Sequence, residues 1–205
     1  MKIETEYPIA FDSPDHLIPE GTKNDNSTNP YFIKDVERYF NRKVRALDLG
    51  CSGGQLIRDF ITEGHVAIGL EGSDYSIKHQ RANWPELHNK ALFTCDISRP
   101  FKVLDDNTPV QFDCISAWEV IEHIHPTRLD QFFTNITNHM HESSIFVGSI
   151  FLGHSVHDVW HQSALSAQEW TPILERFFKP LPQCPIANWV RNYGPNTKLI
   201  CVNKK

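Results

Sequence analysis

Val44-Arg-Ala-Leu-Asp48-Leu-Gly50-Cys-Ser52-Gly-Gly54-Gln-Leu56 is the part of the chain around which the rest arranges itself. The apolar run Val44 to Leu49 reads as a buried strand that stops at a turn of small residues. Leu56, Ile57, Phe60 and Ile61 then recur at helical spacing. Glycines let backbone approach a ligand closely, and the helix N-terminus behind them offers free N–H groups to an anionic one. The unit reads as a nucleotide-type cradle. A dinucleotide fingerprint needs glycine at the first, third and sixth positions of such a turn; here Gly50 is followed by Ser52 and Gln55, which argues against a hydride-transfer enzyme.

Downstream, strands and helices alternate. Gly64 stops the first helix, and His65 to Glu71 reads as a second buried strand whose acidic tip lies 23 residues past Asp48. An acid at that place accepts hydrogen bonds from ribose hydroxyls in nucleotide-binding βαβ units. Ser73 or Asp74 caps a helix to about Asn83, and Ala91 to Cys95 forms a third strand ending at Asp96, itself either a ligand contact or a turn residue. The fourth strand, Phe112 to Ala117, runs into Trp118-Glu-Val-Ile-Glu-His-Ile124, turning polar at its carboxyl end, where open α/β sheets place ligands. A helix over Leu129 to Met140 and a strand over Ser144 to Phe151 follow. Ser166 caps a last helix to about Phe178, and Cys184 to Val190 with Thr197 to Val202 read as a terminal hairpin turning at Gly194-Pro195. This order predicts an α/β fold with a Rossmann-like doubly wound sheet.

Bulk properties limit the rest. At 205 residues and 40% hydrophobic, the chain suits one domain, residues 31–205, preceded by an N-terminal arm, residues 1–30. The arm holds four prolines among polar residues and no evident core element; it reads as a surface loop or a lid. Asn24 to Pro30 is a turn and cap signal ahead of a helix over Tyr31 to Phe40. A net charge of −5 argues against a nucleic-acid partner, which requires a basic stripe. Five scattered cysteines without a C-x-x-C pair read as buried thiols in a reducing compartment. With no apolar leader and no stretch long enough to span a bilayer, the expectation is a cytoplasmic protein without a membrane partner.

His154, His157 and His161 share one face if their segment is helical. Zinc is disfavoured because no cysteine lies nearby to close a shell, so the site set carries no metal. A histidine near neutral pH can instead take a proton from a hydroxyl nucleophile; His161 ranks first for that task and His157 second, against packing or capping roles. Glu122 and His123 read as further catalytic residues or as cap and hydrogen-bond residues near Pro126. Trp118, Trp160 and Trp170 read as core or as platforms for the apolar face of a sugar.

The 44–56 run resembles motif I of the class I S-adenosylmethionine-dependent methyltransferases, D-x-G-x-G-x-G. Asp48, Gly50 and Gly54 match it, and Ser52 replaces the middle glycine, which requires φ below zero there. Glu122-His123 resembles the acid-histidine signature after strand four, and the resemblance extends over roughly residues 24–170. It implies a seven-stranded, mostly parallel sheet with an antiparallel last strand, and S-adenosyl-L-methionine as cofactor. Asp48, Gly50, Ser52 and Gly54 would line its methionine end, Glu71 the ribose, Asp96 and Ile97 the adenine, and Trp118 and Glu119 the exit of the methyl group. Within that family the sequence resembles methyltransferase domains beside or fused to glycosyltransferases, including glycan-building enzymes of large algal viruses, with His161 and Trp170 facing substrate. That resemblance implies O-methylation of a sugar or glycan, and a place for the chain within a larger glycosyltransferase polypeptide. The rival readings are an N-methyltransferase or one acting on a lipid-like hydroxyl, a metal-assisted enzyme using Glu122 and His123, and a non-catalytic cofactor-binding module.

Overall fold

The computed structural model describes residues 1–152, 159–181, 186 and 196–205. Its strands are β1 (Lys2–Thr5), β2 (Arg45–Leu49), β3 (Val66–Glu71), β4 (Leu92–Thr94), β5 (Phe101–Asp105), β6 (Thr108–Pro109), β7 (Phe112–Trp118), β8 (Met140–Phe151), β9 (Phe178–Pro180) and β10 (Thr197–Lys204). Its helices are α1 (Pro14–Leu17), α2 (Glu20–Asn24), α3 (Pro30–Phe40), α4 (Gln55–Thr62), α5 (Tyr75–Lys78), α6 (Trp84–Leu87), α7 (Leu129–Asn138) and α8 (Ala167–Phe177). Short 3-10 turns follow β7 at Ile121–His123 and Pro126–Arg128.

Seven strands form the main sheet in the order β4-β3-β2-β7-β8-β10-β9. The first five run parallel, and β10 inserts antiparallel between β8 and β9. This is the Rossmann-like doubly wound sheet that the alternation of elements predicts. Chain order runs outward from β2 in one direction and from β7 in the other, which opens a crevice at the carboxyl ends of those two neighbours. Asp48 stands opposite Gly69 on one side and Ser116 on the other, at that crevice.

Helical periodicity explains how the sheet is covered. α7 buries Leu129, Phe132, Phe133 and Ile136, one stripe at i, i+3, i+4 and i+7, and α8 adds Trp170 and Leu174 to the same layer. On the opposite face α3 contributes Phe32, Ile33 and Val36, and α4 contributes Leu56, Ile57 and Phe60. Asn29 caps α3 by accepting the Phe32 N–H at 3.1 Å, as the turn-rich sequence before Pro30 predicts.

Several expectations are corrected. Residues 1–30 do contain regular structure: β1 pairs antiparallel with β5, and α1 and α2 follow. Between them the segment crosses the carboxyl edge of the main sheet, where the Asp96 N–H donates to Tyr7 O and the Ala10 N–H to Gly72 O, both at 2.9 Å. The β5–β6 hairpin was not legible as strands because it is short; it turns on Asp106 and Asn107, both at positive φ as a tight hairpin requires. The helix expected to run to about Asn83 is only the one turn of α5, because Gln80 and Ala82 take positive φ and end it, and the next helix, α6, starts at Trp84. Cys51, Cys95 and Cys114 are free buried thiols, but Cys201 is disulfide-bonded, so the reading of all five cysteines as thiols fails there. Apart from Ile186, which is buried, Cys184 to Val190 and the Gly194-Pro195 turn lie outside the described residues. No helix among the described residues is long and apolar enough to cross a membrane.

Candidate active site

A cavity of about 600 Å³ occupies the crevice, within the ordinary range for ligand sites. Asp48, Gly50, Ser52, Glu71, Asp96, Ile97, Trp118, Glu119 and His123 all line it, so most of the residues singled out from the sequence converge on one space. A wall of that space comes from the N-terminal segment, including Asp12, Asp15, His16, Thr22 and Asp25.

The glycine turn is shaped by close approach. Gly50 has φ +76°, and a Cβ there would lie 2.4 Å from Val120 Cγ2. Gly54, at φ +80°, does not line the cavity; a Cβ on it would meet Leu92 Cδ1 at 2.5 Å, so its role is to let α4 start close to β4. Ser52 contradicts the expectation of negative φ: it sits at +45°, in the left-handed region where the family motif has glycine. Its own hydrogen bonds offset that strain. Its N–H donates to Glu71 Oε2 at 2.9 Å and its Oγ to Asp25 O at 2.7 Å, while its carbonyl accepts the Trp84 indole N–H at 2.6 Å.

Glu71 ends β3 with a buried carboxylate that also accepts the Ser73 N–H at 3.1 Å and the Thr22 hydroxyl at 3.3 Å. Burial pushes its carboxyl up, and the two backbone N–H groups oppose that shift. Asp48 accepts the Ser116 hydroxyl at 2.6 Å, and burial raises its carboxyl to about 7. Asp96 accepts both the N–H and the hydroxyl of Ser98, so it serves as a turn residue and lines the cavity as well. Glu119 has φ +53°, and its Oε1 is buried without a hydrogen-bond partner among the described residues. Trp118 lines the cavity and packs edge-on against Phe32, with ring centroids 5.2 Å apart.

The catalytic candidates separate. His123 reaches the cavity, and its Nδ1 lies 2.9 Å from both carboxylate oxygens of Asp15. Glu122 lies behind it, fully buried, accepting the Phe151 N–H at 2.8 Å; burial pushes its carboxyl to about 7 against the opposing charge of His123. His161 does not line the cavity but packs edge-on against His123, with centroids 4.8 Å apart. His154 and His157 lie outside the described residues. Trp170 is fully buried, which removes it as a sugar platform, and Trp160 donates its indole N–H to Ile18 O at 2.9 Å. One ligand atom each from Glu122, His123 and His161 lies within 4.8 Å of the others, a spacing that could hold a divalent cation.

Sequence reading missed the N-terminal contributors and Arg128, which hydrogen-bonds Asp12 at 3.1 Å on the cavity wall. Nothing in local sequence could have revealed them, because each depends on contact between distant segments. Ser13-Pro14-Asp15 does carry a helix-start signal, with the Ser13 hydroxyl accepting the Asp15 N–H at 3.2 Å, but that signal names a cap and not a partner.

The cavity suits a cationic, ribose-bearing ligand. Among the described residues, Asp12, Asp15, Asp25, Asp48, Glu71, Asp96 and Glu119 bring seven carboxyl groups to it, against one arginine, Arg128, and three histidines, His16, His123 and His125. A cofactor carrying an ammonium and a sulfonium fits that field, and Glu119 offers an unpartnered buried oxygen within it. Fold and site together define an S-adenosylmethionine-dependent methyltransferase of the Rossmann-like class.

Comparison with known proteins agrees. A family profile described as "Methyltransferase domain" matches residues 26–196, and the chain belongs to that family. S-adenosylmethionine is its cofactor. The ubiquinone biosynthesis O-methyltransferase of Idiomarina loihiensis is 28% identical over 100 residues, covering 47% of this chain and 39% of that protein. The match therefore spans well under half of that relative's length. A TehB-like SAM-dependent methyltransferase from Corynebacterium glutamicum shares the fold with TM-score 0.60 at 16% identity, over 90% of this chain and 92% of that one. A Burkholderia thailandensis 1,6-didemethyltoxoflavin-N1-methyltransferase, solved with S-adenosylhomocysteine bound, gives TM-score 0.59 at 16% identity over 93% and 84%.

Proposed function

We propose that this domain transfers a methyl group from S-adenosylmethionine to a hydroxyl oxygen of a neutral polar acceptor, with a sugar or glycan hydroxyl as the favoured class. The observation that carries the reading is His123, an imidazole lining the cavity a few residues beyond Trp118 and Glu119 and paired with a carboxylate. The cofactor supplies an activated methyl group on positively charged sulfur. An alcohol attacks well only as its proton leaves, and imidazole suits that removal near neutral pH. His123 takes that role ahead of His161, which backs it, while Glu122 buttresses β8 through Phe151. Glu71 would hold the ribose hydroxyls, Asp96 and Ile97 the adenine, and Asp48 with Gly50 and Ser52 the methionine end. Residues 10–27 act as a lid. The curated relatives' names as O-methyltransferases support oxygen as the acceptor atom. The carboxyl-rich wall supports a neutral polyol, whose hydroxyls donate to it, over an anion. The sugar itself rests on the sequence resemblance to glycan-associated methyltransferase domains.

Calorimetry with S-adenosylhomocysteine and with NAD, followed by labelled methyl transfer to methyl glycosides, phenol and benzylamine, tests the reading. Binding of the homocysteine compound alone and transfer to a neutral hydroxyl would support it. Binding of NAD instead, or transfer only to the amine, would overturn it.

A second reading comes from the spacing of Glu122, His123 and His161: a divalent cation held there would activate the acceptor oxygen directly. Loss of transfer in chelator, restored by Mg²⁺, would select this reading over the imidazole base.

A further inference from the structure

The sequence gives no reason to connect the N-terminal segment with the histidine after β7, yet they meet. Asp15 is fixed in the first turn of α1 by the Ser13 cap, and both its oxygens face His123 Nδ1 at 2.9 Å. A carboxylate only accepts hydrogen bonds, so Nδ1 must carry the hydrogen, and in the neutral ring Nε2 is then the nitrogen that takes a proton. The segment bearing Asp15 is itself tied across the cavity mouth by Ala10 to Gly72 and by the Trp160 indole to Ile18 O.

We propose that Asp15 is the positioning residue for His123, so that seating the N-terminal segment both closes the cavity and fixes the imidazole in its working tautomer and orientation. The inference rests on the reading of His123 as the group that acts on the acceptor. It explains why a carboxylate at the cavity wall belongs to a segment that otherwise serves as a lid: the orienting group arrives only with closure. Acceptor entry and assembly of the reacting pair are thereby coupled, which keeps the imidazole unaligned while the cavity is open to water.

Long-range ¹H–¹⁵N NMR of the imidazoles, at alkaline pH where they are neutral, tests the geometry directly. The wild type should show His123 as the Nδ1–H tautomer, Asp15→Ala should shift it toward Nε2–H, and Asp15→Asn, which keeps an acceptor oxygen, should retain Nδ1–H. A wild-type Nε2–H tautomer, or no change in Asp15→Ala, overturns the proposal. On the glycoside or phenol probe at saturating cofactor, kcat should fall ~10–100-fold in Asp15→Ala with little change in the acceptor's KM. An unchanged kcat, or an effect confined to the acceptor's KM, also overturns it. If the wild type binds no S-adenosylhomocysteine, the methyltransferase reading falls instead, and the tautomer result still judges the pair.

Discussion

At Asp48 a carboxyl is held out of water with one hydroxyl partner, Ser116, and with Asp25 and Glu71 adding like charge. Its folded pKa of about 7 lies above the unfolded value, so the native state keeps a proton that the unfolded chain has already lost. The contribution to stability is therefore complete at low pH and is lost as pH rises through about 7. Asp48→Asn should remove that slope: thermal melts should show the variant gaining about 2–3 kcal/mol on the wild type between pH 5 and pH 8, while its S-adenosylhomocysteine affinity falls. Parallel slopes in the two proteins would refute the assignment. Ser52 poses a different balance. Ser52→Gly relieves a left-handed conformation worth roughly 1–2 kcal/mol but loses the hydroxyl bond to Asp25 O, worth about 1 kcal/mol. Net stability should move by less than about 1 kcal/mol, yet hydrogen exchange over residues 22–27 should quicken, because that bond ties the segment to the turn.

Among elements, the contact that matters most is the glycine turn against the loop after β7. Gly50→Ala places a methyl group into Val120 and puts alanine at positive φ, so two penalties add. It should cost about 2–4 kcal/mol in denaturant unfolding and abolish measurable cofactor binding. Val120→Ala in the same chain should recover the steric part only, leaving about 1 kcal/mol from φ. Full recovery would show that the backbone conformation carries no cost there. Most elements were legible in the sequence, since strand runs such as Val66–Glu71 and the stripe of α7 follow from local hydrophobic period. Where reading failed, local period was weak or overruled. Gln80 and Ala82 break a helix that propensity favours, and the β5–β6 hairpin is too short to show alternation.

For the molecule as a whole, the charge around the cavity is the selective property. Among the described residues the carboxyl groups lining the cavity outnumber its one arginine even with Asp48 and Glu71 held up by burial, and the resulting negative potential is offset by a cationic cofactor and met unfavourably by an anionic acceptor. A methyl glycoside should therefore be methylated with higher kcat/KM than its phosphorylated analogue, by about tenfold or more at low salt, and the gap should narrow as ionic strength rises. Equal rates at low salt would refute this. The sequence by itself determined six of the main sheet's strands, all but β9, with the glycine turn and the acids near the ends of β2 and β3, because each is written in residues close together along the chain. Only tertiary structure decided that Ser52 takes a left-handed conformation, that Trp170 is core, that His161 stands behind His123, and that Asp15 arrives from over a hundred residues away to hold it. Those outcomes depend on which segments meet across the sheet edge, and contact between distant segments leaves no period or spacing in the sequence to read.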